Sequence, residues 1–124
     1  MSFKEAKQIT ADTRRAVLGR QDYKSISGRY LTEDSASFHH YVERSSSGVG
    51  YEWNIVALTF EEHRAIHDHQ PIKIGKRVLY TYDQFITLIR NHLIINYEGW
   101  SEEKCKYRKY LEEQEYGVTR RTHL

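Results

Sequence analysis

The tetrapeptide Thr59-Phe60-Glu61-Glu62 has the T-x-x-E form of a capping box, in which a threonine hydroxyl and a glutamate carboxylate satisfy the free amides at a helix start. It predicts a helix beginning near Phe60, and Pro71 limits its run, so the helix should end near Asp68. His63 and His67 are then spaced i, i+4 and share one face. Two imidazoles one turn apart can grip a single divalent ion, as in helical zinc sites. In a chain with seven histidines, the same spacing also arises between unrelated side chains, so the pair alone leaves both readings open.

The residues before this helix narrow the choice. Ser37-Phe38-His39-His40-Tyr41-Val42 is short, aromatic-rich and β-favouring. Ser45-Ser46-Ser47-Gly48-Val49-Gly50 is a loop, and a second short strand is predicted from about Asn54 to Leu58. The order strand, loop, strand, helix can fold into a finger that brings His39-His40 against His63 and His67. The Asn54 side-chain amide could bridge the loop and fix a catalytic imidazole. The plainer alternative is a half-buried histidine pair on a strand, with Asn54 ending a turn. In a regular strand His39 and His40 point to opposite faces. Both can line one site only if the strand is irregular or ends there, or if helix and loop close over both sides; an irregularity is expected.

Elsewhere, Thr10 can cap a helix running to about Arg20, with Asp12 near its positive end. Tyr23 to Leu31 reads as extended or irregular, interrupted by Gly28. Gln70 to Tyr80 reads as a small hairpin or a lid-like excursion. Thr81-Tyr82-Asp83-Gln84 repeats the capping-box form, and Phe85, Leu88, Ile89, His92 and Leu93 follow at helical spacing. Ser101 is expected to open a last helix with Tyr107, Tyr110, Leu111 and Gln114 on one stripe, and the tail from Gly117 to fray.

The 124 residues, 39% hydrophobic and 29% charged, suit one domain with a modest core rather than a disordered chain or a membrane protein. No apolar run approaches the ~18–20 residues that span a bilayer. Met1-Ser2-Phe3-Lys4-Glu5 lacks the apolar core of a signal peptide, and a single cysteine, Cys105, excludes an internal disulfide and the paired-cysteine zinc patterns. A cytoplasmic protein is expected. Charge is unevenly spread. Residues 1–32 hold seven basic and three acidic side chains (+4), residues 33–71 two and seven (−5), and residues 72–124 ten and seven (+3). The acidic segment also carries five of the seven histidines. A bound cation would offset its charge while the basic flanks met phosphates, although ordinary surface variation gives such patterns too.

Taken together, three segments resemble the HNH endonuclease family, also described as ββα-metal or His-Me finger proteins. They are Phe38-His39-His40-Tyr41-Val42-Glu43-Arg44-Ser45, then Asn54-Ile55-Val56-Ala57-Leu58, then His63-Arg64-Ala65-Ile66-His67. The family motif runs HH-[IV]-V-x-R-S, a glycine-containing loop, N-[LI]-V-x-L and H-R-x-x-H. The resemblance covers residues 38–67, about a quarter of the chain; the adjoining helices look like those of small phage and prophage HNH proteins, less specifically. It implies an α+β fold, a finger of two short antiparallel strands and a helix over about 36–69. That finger would pack, within one domain, against N-terminal helices and C-terminal helices at about 82–97 and 101–115. By the same resemblance His39, His63 and His67 would be ligands of one divalent ion (Mg²⁺, Mn²⁺, Ni²⁺ or Zn²⁺). His40 would be the general base, Asn54 would hold the finger loop and help position that base, and Arg44 would touch a DNA phosphate or remain solvated. The substrate would be DNA, double-stranded, yielding 3′-hydroxyl and 5′-phosphate ends. Proteins of this kind often act with phage DNA-packaging proteins.

The chain departs from the pattern in two places. Many small relatives carry two C-x-x-C pairs that hold a structural zinc. The corresponding stretches here are Ser25-Ile26-Ser27-Gly28 and Thr59-Phe60-Glu61-Glu62, so no structural zinc is expected and support should fall to the core made with the C-terminal helices. Glu43 stands where proline is common, which should alter loop stiffness. Glu61 and Glu62 read as helix-start charges; His69 and His92 lie off the motif, and His69 reads as a surface residue, the alternative being an auxiliary ligand near the site. Two other readings remain: a binding module that keeps the HNH scaffold without catalysis, acting on nucleic acid or a partner protein, and a purely structural metal site.

Overall fold

The computed structural model describes residues 2–107 and 119–121, and its fold is α+β. Two N-terminal helices, α1 (Phe3–Ala6) and α2 (Ala11–Arg20), precede strand β1 (Ser37–His40). Strand β2 (Ile55–Leu58) and helix α3 (Phe60–His67) follow. Next come a hairpin of β3 (Ile72–Ile74) and β4 (Arg77–Tyr80), the long helix α4 (Tyr82–Asn96) and strand β5 (Tyr97–Glu98). The short strand β6 (Thr119–Arg120) pairs with β5. Each of the three antiparallel sheets among the described residues has two strands. No described helix is long and apolar enough to cross a membrane.

Both capping boxes form. Thr59 accepts from the Glu62 amide at 3.1 Å while Glu62 accepts from the Thr59 amide at 2.8 Å, and Thr81 and Gln84 do the same at 3.2 and 2.9 Å. Such caps contribute about 1 kcal/mol each. Strand β2 is buried on both faces. Val56 and Leu58 face a core with Ile66, Ile72, Phe85, Ile89, Leu93 and Tyr97, whereas Ile55 and Ala57 face one with Val17, Leu18, Leu31 and Ala36. One strand thus ties α2 to α3 and α4.

Because β2 pairs only with β1 among the described residues, its second edge would leave buried backbone groups unmet. Side chains of α2 and its C-cap serve as the missing strand. Gln21 accepts from the Ala57 amide at 2.8 Å and donates to the Ala57 carbonyl at 2.9 Å. Arg20 donates to the Ile55 carbonyl at 2.7 Å and to the Glu52 carbonyl at 2.8 Å. Arg20 also donates to the Tyr97 hydroxyl, which in turn donates to the Glu52 carboxylate at 3.0 Å. Arg120 pairs with that carboxylate at 2.7 Å.

Some expected boundaries move. Strand β1 stops at His40, and Asn54 lies in a 3-10 turn (Glu52–Asn54) just before β2. Helix α1 has no counterpart in the sequence expectations, and Gln70 to Tyr80 resolves as the hairpin. The helix expected over 101–115 does not open at Ser101: the segment forms a 3-10 turn, Glu103–Cys105, Lys106 is extended, and Tyr107 is helical, the rest of that range lying outside the described residues. Tertiary pairing shapes the described start of the segment. The Val49 amide donates to the Cys105 carbonyl at 2.9 Å, the Tyr107 amide to the Ser47 carbonyl at 2.8 Å, and Gly48 bridges Lys106. Tyr110, Leu111 and Gln114 lie outside the described residues.

Candidate functional site

The finger forms as expected. Ser37, Phe38, His39 and His40 pair in regular register with Leu58, Ala57, Val56 and Ile55. The anticipated irregularity is therefore absent from the strand itself. Instead the strand ends at His40, and its two sides are closed by different elements. His39 turns towards α3, where its ring meets that of His63 edge-on at 5.2 Å. His40 turns towards the N-terminal segment, with Nε2 3.0 Å from the Lys7 carbonyl oxygen. Only an N–H can bond a carbonyl, so Nε2 carries the proton and Nδ1 is left as the basic nitrogen.

His39, His40, His63, His67 and Arg44 line one open cleft of about 530 Å³, together with Ser37, Arg14 and Glu43. Asn54 is not at its surface. It is fully buried beneath the finger loop, where it accepts from the Val42 amide at 2.7 Å and donates to the carbonyls of Val42 at 3.0 Å and Val49 at 2.8 Å. Its own carbonyl accepts from the Tyr41 amide at 2.8 Å. Asn54 thus holds the chain on the far side of the residues that follow His40, and acts on that imidazole through the backbone. Gly48 is required in this loop because a Cβ there would collide with the Val42 carbonyl.

Burial governs the electrostatics. It holds the His39 imidazole down to about 3, with His63 and His40 pushing the same way. Burial also lowers His40, against the raising effect of the Lys7 carbonyl and with Arg44 and His63 adding to the fall. His63 is lowered by burial and by His67. All three are neutral near pH 7, the form in which imidazole can ligate a metal or accept a proton.

The nitrogens left free decide whether a cation fits. His63 commits Nδ1 to the Ser37 hydroxyl at 2.5 Å, leaving Nε2. His67, whose side chain is 84% exposed, sets Nδ1 3.1 Å from Asp68, again leaving Nε2. The His39 ring makes no hydrogen bond among the described residues. Three imidazoles with an uncommitted nitrogen each suit a first-row divalent ion. Among the described residues no three His, Cys, Asp or Glu side chains already stand in a metal-holding cluster; the exposed His67 is the ligand candidate least fixed in place.

The two stretches aligned with the zinc-binding pairs do meet. Ser25 and Ser27 both donate to Oε2 of Glu62, Ser25 at 3.3 Å, while Oε1 of the same carboxylate completes the capping box. The two hydroxyl oxygens stand 3.0 Å apart, and a turn closes on Gly28 through its amide and the Ser25 carbonyl at 2.9 Å. A hydrogen-bonded clasp thus joins the 25–28 turn to the start of α3, in addition to the core that was expected to carry this load. Glu62, only 3% exposed, does more than charge a helix end.

His69 is exposed, as expected, with its ring 4.6 Å from that of Tyr82. The sequence expectations missed the Lys7 carbonyl, Ser37 and Arg14. A backbone carbonyl leaves no sequence signal. Ser37 stands at the edge of the motif, and the excess of basic residues in 1–32 was the only hint of Arg14. No family model, curated protein or solved structure matches this chain.

Proposed function

We propose that the chain is a metal-dependent HNH endonuclease that hydrolyses phosphodiester bonds of DNA, nicking or cutting double-stranded DNA in the cytoplasm of a bacterial host. The supporting observation is the convergence of four imidazoles and Arg44 on one open cleft, with a ring nitrogen of His39, His63 and His67 left uncommitted. Those three histidines would hold one divalent ion. When bound, such an ion stabilises charge on the phosphoryl and leaving oxygens during attack. His40, neutral and oriented by the Lys7 carbonyl, accepts the proton of the attacking water at Nδ1. Asn54 keeps the loop beyond His40 from sagging, and Arg44 meets a phosphate oxygen. The products carry 3′-hydroxyl and 5′-phosphate ends.

The test is plasmid cleavage by the full chain with Mg²⁺, Mn²⁺, Ni²⁺ or Zn²⁺, set beside His40→Ala. Cleavage that needs a metal and falls about 10²–10⁴-fold in the variant supports the proposal. Folded protein that cuts with none of these ions sinks it; equal DNA affinity of both proteins would then favour a binding module on the same scaffold.

A further inference from the structure

The cleft has a second arginine. Arg14 projects from α2 into the wall that also holds His39, His40 and His63. Its guanidinium lies 5.2 Å from the centre of the Phe38 ring, and Nε donates to the Ile9 carbonyl at 3.4 Å. These contacts fix the planar group over the residue before His39, and neither terminal nitrogen has a partner among the described residues. Its neighbour Arg15 is by contrast engaged by Asp12 at 2.6 Å. At the other end of the histidine pair, Arg44 starts the 3-10 turn that follows β1, close enough to His40 to oppose its protonation.

The two arginines therefore bracket the histidines: Arg14 at the Phe38 end and Arg44 beyond the His40 end. Strand geometry separates Phe38 from His40 by roughly 6.6 Å. A ligand that offers one phosphate to each guanidinium would lay the ester bond between them against the histidines. A chain of phosphates is such a ligand. Among the described residues the only acidic side chain on the cleft wall is Glu43.

We infer that Arg14 is a substrate-binding residue that grips a second backbone phosphate. The cleft is then built for a polynucleotide spanning at least two consecutive phosphates, not for a small phosphodiester. The inference rests on the nuclease proposal for the identity of the ligand, but its test does not require cleavage.

Binding of a short DNA duplex would be measured across a salt series in EDTA for the full chain, Arg14→Ala, Arg14→Lys and Arg15→Ala. Each phosphate contact adds about 0.9 to the slope of log affinity against log salt. Arg14→Ala should lower the slope by about that amount and weaken binding several-fold, with an unchanged melting temperature. Arg14→Lys should restore the slope, because it keeps the charge, and Arg15→Ala should leave it alone. An unchanged slope in Arg14→Ala overturns the inference, as does an equal loss in Arg15→Ala, which would report only general positive charge. Wild-type protein that fails to bind the duplex at low salt overturns it too. Metal-independent binding with the expected slope loss, in a protein that never cuts, would uphold Arg14 while sinking the nuclease proposal.

Discussion

His39 and His92 are both held at about 3 by burial, yet they belong to regions of opposite construction. His39 borders an open cleft beside other imidazoles, and its ring makes no hydrogen bond among the described residues. His92 sits on α4 near Arg20, with Nδ1 3.3 Å from the Asn96 amide and Nε2 shut away without a partner. The Arg20 Nε is likewise buried and unpartnered. Around Arg20 nearly every other polar group is spent on supporting β2 and joining it to Tyr97. A depressed imidazole therefore does not by itself mark a site. What separates a site from a support is whether the unprotonated nitrogens face open volume in company.

That contrast can be broken by experiment. The largest expected effect is on catalysis: His40→Ala should cost about 10²–10⁴ in cleavage rate while scarcely moving the melting temperature. Arg20→Ala should do the reverse to the fold. It strips donors from the Glu52 and Ile55 carbonyls and from Tyr97, at a cost of about 3–5 kcal/mol in urea unfolding. If His40→Ala unfolds the protein, or Arg20→Ala leaves stability intact, the division of labour is wrong.

The next effect is on pH dependence. Burial depresses His92 to about 3 from its ordinary 6.5, so the unfolded chain takes up a proton at this residue that the folded chain refuses. Its contribution is full above pH 6.5 and is lost as the pH falls towards 3. Between pH 7 and 5 the loss is about 2 kcal/mol. His92→Leu should flatten that part of the stability profile; an unaltered profile would show that His92 is not the buried neutral group described. The smallest effect concerns the clasp. Ser25→Ala combined with Ser27→Ala leaves Glu62 Oε2 without its hydroxyl donors and should lower stability by about 1–3 kcal/mol. A melting temperature equal to wild type would remove the clasp from the list of supports.

Local chemistry made much of this legible in the sequence. Thr59 and Thr81 announce their helices through side chains that bond within three residues, so no tertiary knowledge is needed. The apolar run of β2 and the breaking power of Gly28 and Pro71 work equally locally. The expected start of the last helix failed where distant partners won: Ser47 and Val49 hold Tyr107 and Cys105 in bonds that a helix opening at Ser101 could not make. At the site, the histidines and Asn54 were legible through residue type and order. How His39 and His40 share a cleft was not, because it depends on where the Lys7 carbonyl and α3 arrive in space. Arg14 was invisible for a similar reason, since an exposed arginine on a helix carries no mark of what lies opposite.

The clasp of Ser25, Ser27 and Glu62 has a consequence for the timing of metal uptake. Hydroxyls and a carboxylate need neither a metal nor a thiolate to close the 25–28 turn, and the sole cysteine, Cys105, is buried with its thiol pushed up by desolvation. A chelator thus finds no metal in this clasp to remove, and an oxidant no exposed thiol. Under the proposed function, the protein folds before it meets its ion, gives it up and takes another without unfolding, and works with whichever suitable cation its surroundings supply.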